Sequence, residues 1–278
     1  MILKFTKMQG LGNDFMVINA LDQPFKLSPQ EIAKLGDRHY GVGFDQLLIL
    51  AKSQTTDIDF NYLIYNADGS TAEQCGNGIR CLARFIKEHQ LSQKHHFKIQ
   101  APKTIMEVLL LDDGQVRSSI GKPDFDPTRL PSTLNPYLAA PYPLNIQGQK
   151  IDCYIVNLGN PHAVFKVDDQ PQLSLEEVGK VLNQKIIFPE GINVSFIYPI
   201  QPNILKLAVY ERGVGPTLAC GSAACASAVV AIQQNWVSSP VRVQQPGGEL
   251  IIEWQGGVEE VFMTGPAQTI FKGEIKLE

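Results

Sequence analysis

Apolar and polar positions alternate along several stretches of the chain in the way that strands require. The runs DFNYLIY (59–65) and ILKLAVY (204–210) are rich in aromatic and branched residues and predict strands. In LLLDDGQVRSSI (109–120), an Asp-Gly pair between two apolar runs predicts a hairpin. The longer stretch VRVQQPGGELIIEWQGGVEEVFM (241–263) has apolar runs separated by glycine-containing turns, which predicts a meander of antiparallel strands.

Two other segments carry a helical pattern. The segment after Cys75 has the i, i+3, i+4, i+7 spacing of a helix with one apolar face, formed by Ile79, Leu82, Ala83 and Ile86. The segment GSAACASAVVAIQQ (221–234) is apolar or small on nearly every side, so it predicts a buried helix. The mixture indicates the α+β class, with a mostly antiparallel β-sheet wrapped around a central helix in each half of the chain.

Five short features occur twice in the same order, and the two copies of each are 145 to 147 residues apart. A coincidence among short motifs is the alternative, but it does not explain the constant order and spacing. We interpret the chain as two similar domains related by a pseudo-two-fold axis. The pairs are Leu11-Gly12-Asn13 with Leu158-Gly159-Asn160, Ser28/Glu31 with Ser174/Glu177, Gln46 with Asn193, Tyr65-Asn66 with Tyr210-Glu211, and Cys75-Gly76 with Cys220-Gly221.

The stretch between the two copies, residues 122–145, is rich in proline. Proline fixes φ and lacks a backbone donor, so this stretch predicts an extended linker.

Composition restricts the compartment and the partners. The 278 residues carry a formal net charge of −4, which does not favour a nucleic-acid or membrane-binding surface. The N-terminal residues lack an apolar run of signal-peptide length, and no stretch reaches the length of a membrane span. We therefore expect a cytoplasmic protein whose thiols stay reduced.

The five cysteines fall into two groups. Their spacing fits neither a zinc site nor a Cys-x-x-Cys redox motif. Cys81, Cys153 and Cys225 lie within apolar patterns and are expected to be small buried hydrophobes. Cys75 and Cys220 differ, because each directly precedes a predicted helix.

A helix N-terminus changes what a thiol can do. Its partial positive charge stabilises a thiolate, and the backbone N–H groups of Gly76-Asn77 and Gly221-Ser222 can hold a carboxylate. If the two halves face each other, Cys75 and Cys220 approach one substrate from opposite sides. One thiolate then removes the α-proton while the other thiol delivers a proton to the opposite face. This chemistry inverts a stereocentre without a metal or a cofactor.

Other polar residues stand at the repeated positions. Asn in a turn, a single His and an adjacent Glu-Arg pair each have ordinary structural explanations when taken alone. Their repeated placement favours substrate contacts near the two thiols. These candidates are Asn13, Gln46, Asn66, Asn160, His162, Asn193, Glu211 and Arg212.

Five motifs together resemble the diaminopimelate epimerase family over nearly the whole chain. They are GLGNDF (10–15), NADGSTAEQCGNGIRC (66–81), NLGNPHAV (157–164), GINVSF (191–196) and YERGVGPTLACGSAACA (210–226). The resemblance implies a cofactor-independent enzyme that interconverts LL- and meso-diaminopimelate, for lysine and peptidoglycan precursors.

The resemblance also implies individual roles. Cys75 and Cys220 match the catalytic thiols, and His162 and Glu211 match residues that tune them. The remaining candidates match substrate contacts, with Arg212 on the distal carboxylate. The implied domains are 1–121 plus about 267–278, and 122–266, and Phe271 matches an aromatic position at the contact of a homodimer. The residues matched to substrate contacts are Asn13, Gln46, Asn66, Gly76, Asn77, Asn160, Asn193, Glu211, Arg212, Gly221 and Ser222.

Three alternatives remain open from the sequence. A related two-cysteine racemase, such as one acting on proline, uses the same thiol chemistry without a distal polar clamp. A cysteine hydrolase would pair His162 with one cysteine and has no use for the second. A non-catalytic small-molecule binding protein would tolerate the loss of either cysteine.

Overall fold

A computed structural model describes residues 2–72, 75–102, 104–168 and 171–277. The chain divides into two compact units, one made of Met1–Ser119 with Thr264–Glu278 and the other of Ile120–Met263. We call them unit 1 and unit 2. The helices are α1 (Pro29–Gly36), α2 (Gly76–Glu88), α3 (Leu175–Leu182) and α4 (Gly221–Gln233). The strands are β1 (Ile2–Gly10), β2 (Asn13–Asn19), β3 (Gln46–Lys52), β4 (Phe60–Asn66), β5 (His96–Gln100), β6 (Ile105–Leu110), β7 (Val116–Gly121), β8 (Tyr142–Ile146), β9 (Gln149–Asn157), β10 (Pro161–Lys166), β11 (Asn193–Gln201), β12 (Ile204–Glu211), β13 (Gly215–Thr217), β14 (Val241–Gln245), β15 (Gly248–Glu253), β16 (Val261–Gly265) and β17 (Gln268–Lys276).

Unit 1 is a mostly antiparallel sheet around helix α2. Strand β1 pairs with both β17 and β2, and the ladder continues through β3, β4, β5, β6 and β7. Two of these pairings, β2 with β3 and β4 with β5, are parallel, because helices α1 and α2 provide the crossovers. Helix α2 packs against β1, β2, β3, β6 and β17, and its predicted apolar face is fully buried.

Unit 2 repeats this arrangement. Strands β9, β10, β11, β12, β14 and β15 form the same succession, again with two parallel pairings, β10 with β11 and β12 with β14. Helix α4 packs against all six of these strands. Its small residues let the strands approach closely, and the predicted burial of this helix is confirmed. The α+β class and the two repeated domains are therefore confirmed.

The repeated motifs form the same local structures in both units. Gly12 and Gly159 occupy the two turns of sequence LGN, with φ of 86° and 87°, a left-handed conformation that favours glycine. Ser28 and Ser174 each form a complete capping box at the start of α1 and α3. Similar sequence at these points thus produces a similar turn and a similar helix start.

The proline-rich stretch contributes to unit 2. Pro127–Arg129 forms a 3-10 turn, and β8 pairs antiparallel with β9. Tyr142, Leu144 and Ile146 of β8 alternate with exposed residues and are buried, so this part of the stretch supplies core side chains.

Within the described part of the chain, every helix is too short or too polar to cross a lipid bilayer.

Candidate active site

Cys75 occupies the N-cap of helix α2, as the sequence predicts. Its backbone is extended, and its Sγ accepts a hydrogen bond from the N–H of Gly78 at 3.4 Å. Its own N–H donates to the hydroxyl of Tyr62 on β4 at 3.4 Å. Burial raises the pKa of Tyr62, and the neighbouring Cys75 raises it further. The thiol is thus fixed at the start of a buried helix by contacts from two elements.

Two asparagine side chains lie beside this thiol. Cys75 Sγ donates to Asn13 Oδ1 over 3.6 Å, and Asn77 Nδ2 donates to the same oxygen over 3.4 Å. Asn13 begins β2, whereas Asn77 lies in the first turn of α2. The structure therefore brings three of the predicted site residues together in unit 1.

Two further predicted residues meet nearby on the sheet. Gln46, the first residue of β3, lies opposite Asn66, the last residue of β4. Gln46 Nε2 donates to Asn66 Oδ1 at 3.0 Å. The other amide atom, Gln46 Oε1, is buried and has no hydrogen-bond partner among the described residues. Since Gln46 is also in register with Phe15, two residues after Asn13, the pair lies at the same end of the sheet as Asn13.

The site of unit 1 includes charged residues that the sequence did not single out. Asp45 Oδ2 accepts from Asn13 Nδ2 at 2.8 Å, and Asp45 Oδ1 accepts from Arg38 at 2.8 Å. Arg80 is fully buried and donates to Asn77 Oδ1 at 2.7 Å and to the carbonyl of Gly76 at 3.1 Å. The sequence of α2 also contains Arg84, Lys87 and Glu88, so it gives no sign that Arg80 is the buried one.

An ion-pair network continues from Asp45. Burial alone would raise the pKa of Asp14, but hydrogen bonds and charges from Arg38 and Lys7 lower it to about 2. Arg38 bridges the Asp14 and Asp45 carboxylates at 2.8 Å each. This network anchors the start of β2 to the residue that precedes β3.

Cys220 occupies the N-cap of helix α4 in unit 2. Its N–H donates to Gln245 Oε1 at 2.9 Å, so a side chain again satisfies the cysteine backbone. Its Sγ lies 3.5 Å from Ser222 Oγ. Burial raises the pKa of the Cys220 thiol well above its usual value, and the Glu211 carboxylate raises it further.

A short chain of hydrogen bonds leads away from Ser222. Asn160 Nδ2 donates to Ser222 Oγ at 3.2 Å, and Asn160 Oδ1 lies 2.9 Å from His162 Nε2. Burial lowers the pKa of His162 to about 3, and the charge of Arg212 contributes in the same direction. His162 is therefore neutral at physiological pH, with its proton on Nε2, where it donates to Asn160.

The other predicted residues of unit 2 are joined at the ends of β11 and β12. Asn193 Oδ1 accepts from the N–H of Arg212 at 2.9 Å, and its Nδ2 donates to the Pro161 carbonyl at 3.1 Å. Glu211 Oε1 accepts from Thr217 Oγ1 at 2.5 Å. Asn193 thus fixes the backbone at Arg212, whose guanidinium donates to the Glu190 carbonyl at 3.3 Å.

The remaining predicted positions divide between helix ends and the surface. Gly76-Asn77 and Gly221-Ser222 open α2 and α4, where backbone N–H groups have no carbonyl partner within the helix. Phe271 lies on β17, half-exposed, with its ring edge-to-face against Phe5 at a centroid distance of 6.0 Å. Its predicted role in a dimer stays a prediction.

The fold is shared with structures that have been solved. A probable proline racemase from Agrobacterium radiobacter K84, solved with bound carbonate, superposes with a TM-score of 0.73 over 99% of this chain and 93% of that chain, at 12% identity. This likeness shows the fold alone.

Sequence comparison identifies the family. The model of the family described as diaminopimelate epimerase matches residues 5–125 and 154–270. The chain is 44% identical over 277 residues to the diaminopimelate epimerase of Stutzerimonas stutzeri (strain A1501), and 45% identical over 280 residues to that of Alkalilimnicola ehrlichii (strain MLHE-1). Each comparison covers 100% of both chains. The chain belongs to the diaminopimelate epimerase family and is an amino-acid epimerase, which confirms the family predicted from the motifs.

Proposed function

We propose that this protein interconverts LL- and meso-diaminopimelate without a cofactor, with the thiols of Cys75 and Cys220 as its acid–base pair. One observation carries the proposal. In a member of this family, each of the two thiols is the N-cap of the buried central helix of its own unit. A helix N-terminus is where backbone N–H groups and partial positive charge are available to a thiolate and to a carboxylate.

In the proposed reaction, one thiolate takes the α-proton, so that the Cα–H bond breaks and an S–H bond forms. The electron pair moves into the α-carboxylate, whose charge the N–H groups of Gly76-Asn77 and Gly221-Ser222 stabilise. The second thiol then gives its proton to the opposite face of the α-carbon. The thiols exchange protonation states, so the reverse reaction begins from the state in which the forward reaction ends.

The surroundings of Cys220 support its role as a proton donor in the resting enzyme. Burial and Glu211 both raise the pKa of this thiol, so it holds its proton at neutral pH. Neutral His162 adds no charge to the site, and it orients Asn160 and, through it, Ser222. Glu211 and His162 accordingly tune the thiol without exchanging protons with the substrate.

The distal end of the substrate carries an ammonium and a carboxylate, and it needs polar partners. Gln46 Oε1 is a buried acceptor that remains available, and Asn66 is held beside it. The Arg212 guanidinium can bind a carboxylate through two parallel hydrogen bonds. We assign Asn13 of unit 1, and Asn160 and Asn193 of unit 2, to substrate contacts as well. These residues would distinguish diaminopimelate from proline, which has no distal charged groups.

The product of the proposed reaction serves lysine and peptidoglycan precursor synthesis, in a cytoplasm that keeps both thiols reduced.

We also propose that the enzyme forms a homodimer through the surface around Phe271. Measuring its mass in solution by light scattering tests this assignment.

Proton NMR in D₂O tests the reaction directly. Purified, reduced protein is mixed with LL-diaminopimelate, and with L-proline in a parallel tube, without added cofactor. We expect deuterium at the α-position and the appearance of meso product in the first tube only. Exchange with proline alone would contradict diaminopimelate as the substrate but would agree with the two-thiol chemistry. The absence of exchange in both tubes, with both thiols shown to be reduced, would overturn the enzyme reaction.

A further inference from the structure

The amide of Asn13 beside Cys75 has a defined orientation. Its nitrogen faces Asp45 and its oxygen faces the Cys75 sulfur and the Asn77 amide. An amide can rotate to exchange these two atoms, so the orientation must come from its partners.

Asp45 sets this orientation from one side. An ionised carboxylate is only an acceptor, so it must meet the Asn13 nitrogen and not the oxygen. The distance of 2.8 Å is that of a good hydrogen bond. Asp45 is itself held by Arg38 and by the N–H of Asp14, at 2.8 and 3.1 Å. Its carboxylate therefore cannot rotate away without losing an ion pair.

Arg80 requires the same orientation from the other side. A guanidinium is only a donor, so it must meet the oxygen of Asn77, at 2.7 Å. The Asn77 nitrogen is then directed to Asn13, where it needs an oxygen as acceptor. Two charged residues of opposite sign, Arg80 on α2 and Asp45 in the loop before β3, thus require the same orientation of Asn13.

We propose that Asp45 is a positioning residue for the reaction, because through Asn13 it holds a hydrogen-bond acceptor against the Cys75 thiol. An acceptor at this place stabilises the protonated sulfur and disfavours the thiolate. The inference rests on the proposed function of Cys75 as an acid–base group. Asp45 then determines how readily Cys75 gives up its proton before the substrate binds.

The test measures the thiol without substrate, so its outcome does not depend on whether the proposed reaction is correct. The rate of iodoacetamide alkylation at Cys75 is followed against pH by peptide mass spectrometry in the full-length protein. In Asp45→Asn, the Asn13 amide keeps only the weaker constraint from Arg80 through Asn77, at 3.4 Å, so its oxygen is held less firmly against the thiol. We expect the midpoint of the profile to move down by about one pH unit. Asp45→Ala gives the same test if the first variant does not fold.

A matched control separates this effect from a general loss of charge. Asp59 accepts from Lys94 at 2.6 Å and from the N–H of Lys98 at 2.8 Å, in the same unit. Asp59→Asn therefore loses similar bonds without touching Asn13. We expect its Cys75 profile to match the wild type, and an equal shift in this control would overturn the proposal.

A double-mutant cycle then tests whether Asp45 acts through Asn13. In the Asn13→Ala background, the substitution Asp45→Asn should leave the alkylation midpoint unchanged. A shift that persists without the Asn13 amide would show a direct charge effect and overturn the positioning role. An unchanged midpoint in the Asp45→Asn single variant would overturn it as well.

Discussion

His162 and Asn160 are joined by a hydrogen bond of 2.9 Å between Nε2 and Oδ1, which links a fully buried imidazole to a half-buried amide. The Asn160 nitrogen donates to Ser222, so its oxygen must accept, and the imidazole carries its proton on Nε2. The opposite ring nitrogen, Nδ1, has no hydrogen-bond partner among the described residues. This histidine is therefore held in one neutral tautomer.

The neutral state of His162 makes stability depend on pH. Burial lowers its pKa to about 3 in the folded chain, below the ordinary value of 6.5. As the pH falls below 6.5, the unfolded chain binds a proton that the folded chain does not, so the free energy of unfolding decreases. The contribution approaches about 1.4 kcal/mol per pH unit. In His162→Gln, urea unfolding between pH 6.5 and 4 should show a shallower decline than in the wild type, whereas parallel declines would contradict the buried neutral state.

Loss of either thiol should abolish inversion. In Cys75→Ala or Cys220→Ala one face of the α-carbon has no proton donor or acceptor, so we expect turnover to fall by at least about 10³-fold. Epimerisation of LL-diaminopimelate, followed by circular dichroism, measures this loss. Cys81→Ala removes a buried thiol on the same helix α2 as a control and should retain measurable activity. Near-normal turnover in either N-cap variant would exclude the two-thiol mechanism.

Arg212 should contribute to substrate recognition more than to folding. Its backbone is fixed by Asn193, while its guanidinium makes a bond of 3.3 Å to a carbonyl and can reorient to bind a carboxylate. Arg212→Lys keeps the charge but loses the paired hydrogen bonds, and kcat/KM for diaminopimelate should fall by about 10²-fold. Steady-state kinetics measure the loss, with Arg129→Lys, an exposed arginine paired with Asp124, as the control. An equal kcat/KM in the two variants would contradict the assignment of Arg212 to substrate binding.

The two capping boxes provide a matched pair of stability tests. Ser28 and Ser174 each accept from the N–H three residues later, at 3.3 and 3.2 Å. Ser28→Ala and Ser174→Ala should each reduce the free energy of unfolding by about 1 kcal/mol. Chemical denaturation measures both, and Ser53→Ala, in a loop outside the helices, gives the background effect. A decrease in the free energy of unfolding in only one of the two variants would show that the capping box stabilises only one of the two units.

Short sequence motifs were sufficient to predict those features of the site that are formed by residues adjacent in the chain. A cysteine followed by glycine and a helical pattern predicts an N-cap thiol, and Cys75 and Cys220 occupy that position. Asn13, Gln46 and Asn193 each begin a strand, where a polar residue directly precedes an apolar stretch or lies close before one. These features need only a few adjacent residues to be recognised.

The residues that sequence reasoning missed act over long distances in the chain. Tyr62 and Gln245 accept from the backbone N–H groups of the two cysteines, yet they are 13 and 25 residues away from them. Arg80 is a charged residue within a helix, and such residues usually face solvent. Its burial depends on the Pro266 carbonyl, to which it donates at 3.2 Å across a separation of 186 residues. No local pattern contains that information.

The pairing of β17 with β1 has a consequence for synthesis on the ribosome. Strand β1 is translated before unit 2, but it pairs in eight registered positions with β17, which is made after the whole of unit 2. The N-terminal unit therefore stays incomplete throughout elongation, with an outer edge of β1 available to other nascent chains. Unit 2, which is continuous in sequence, can finish folding earlier. A ribosome that stalls before residue 268 would release a chain whose second half is complete and whose first half is prone to aggregate.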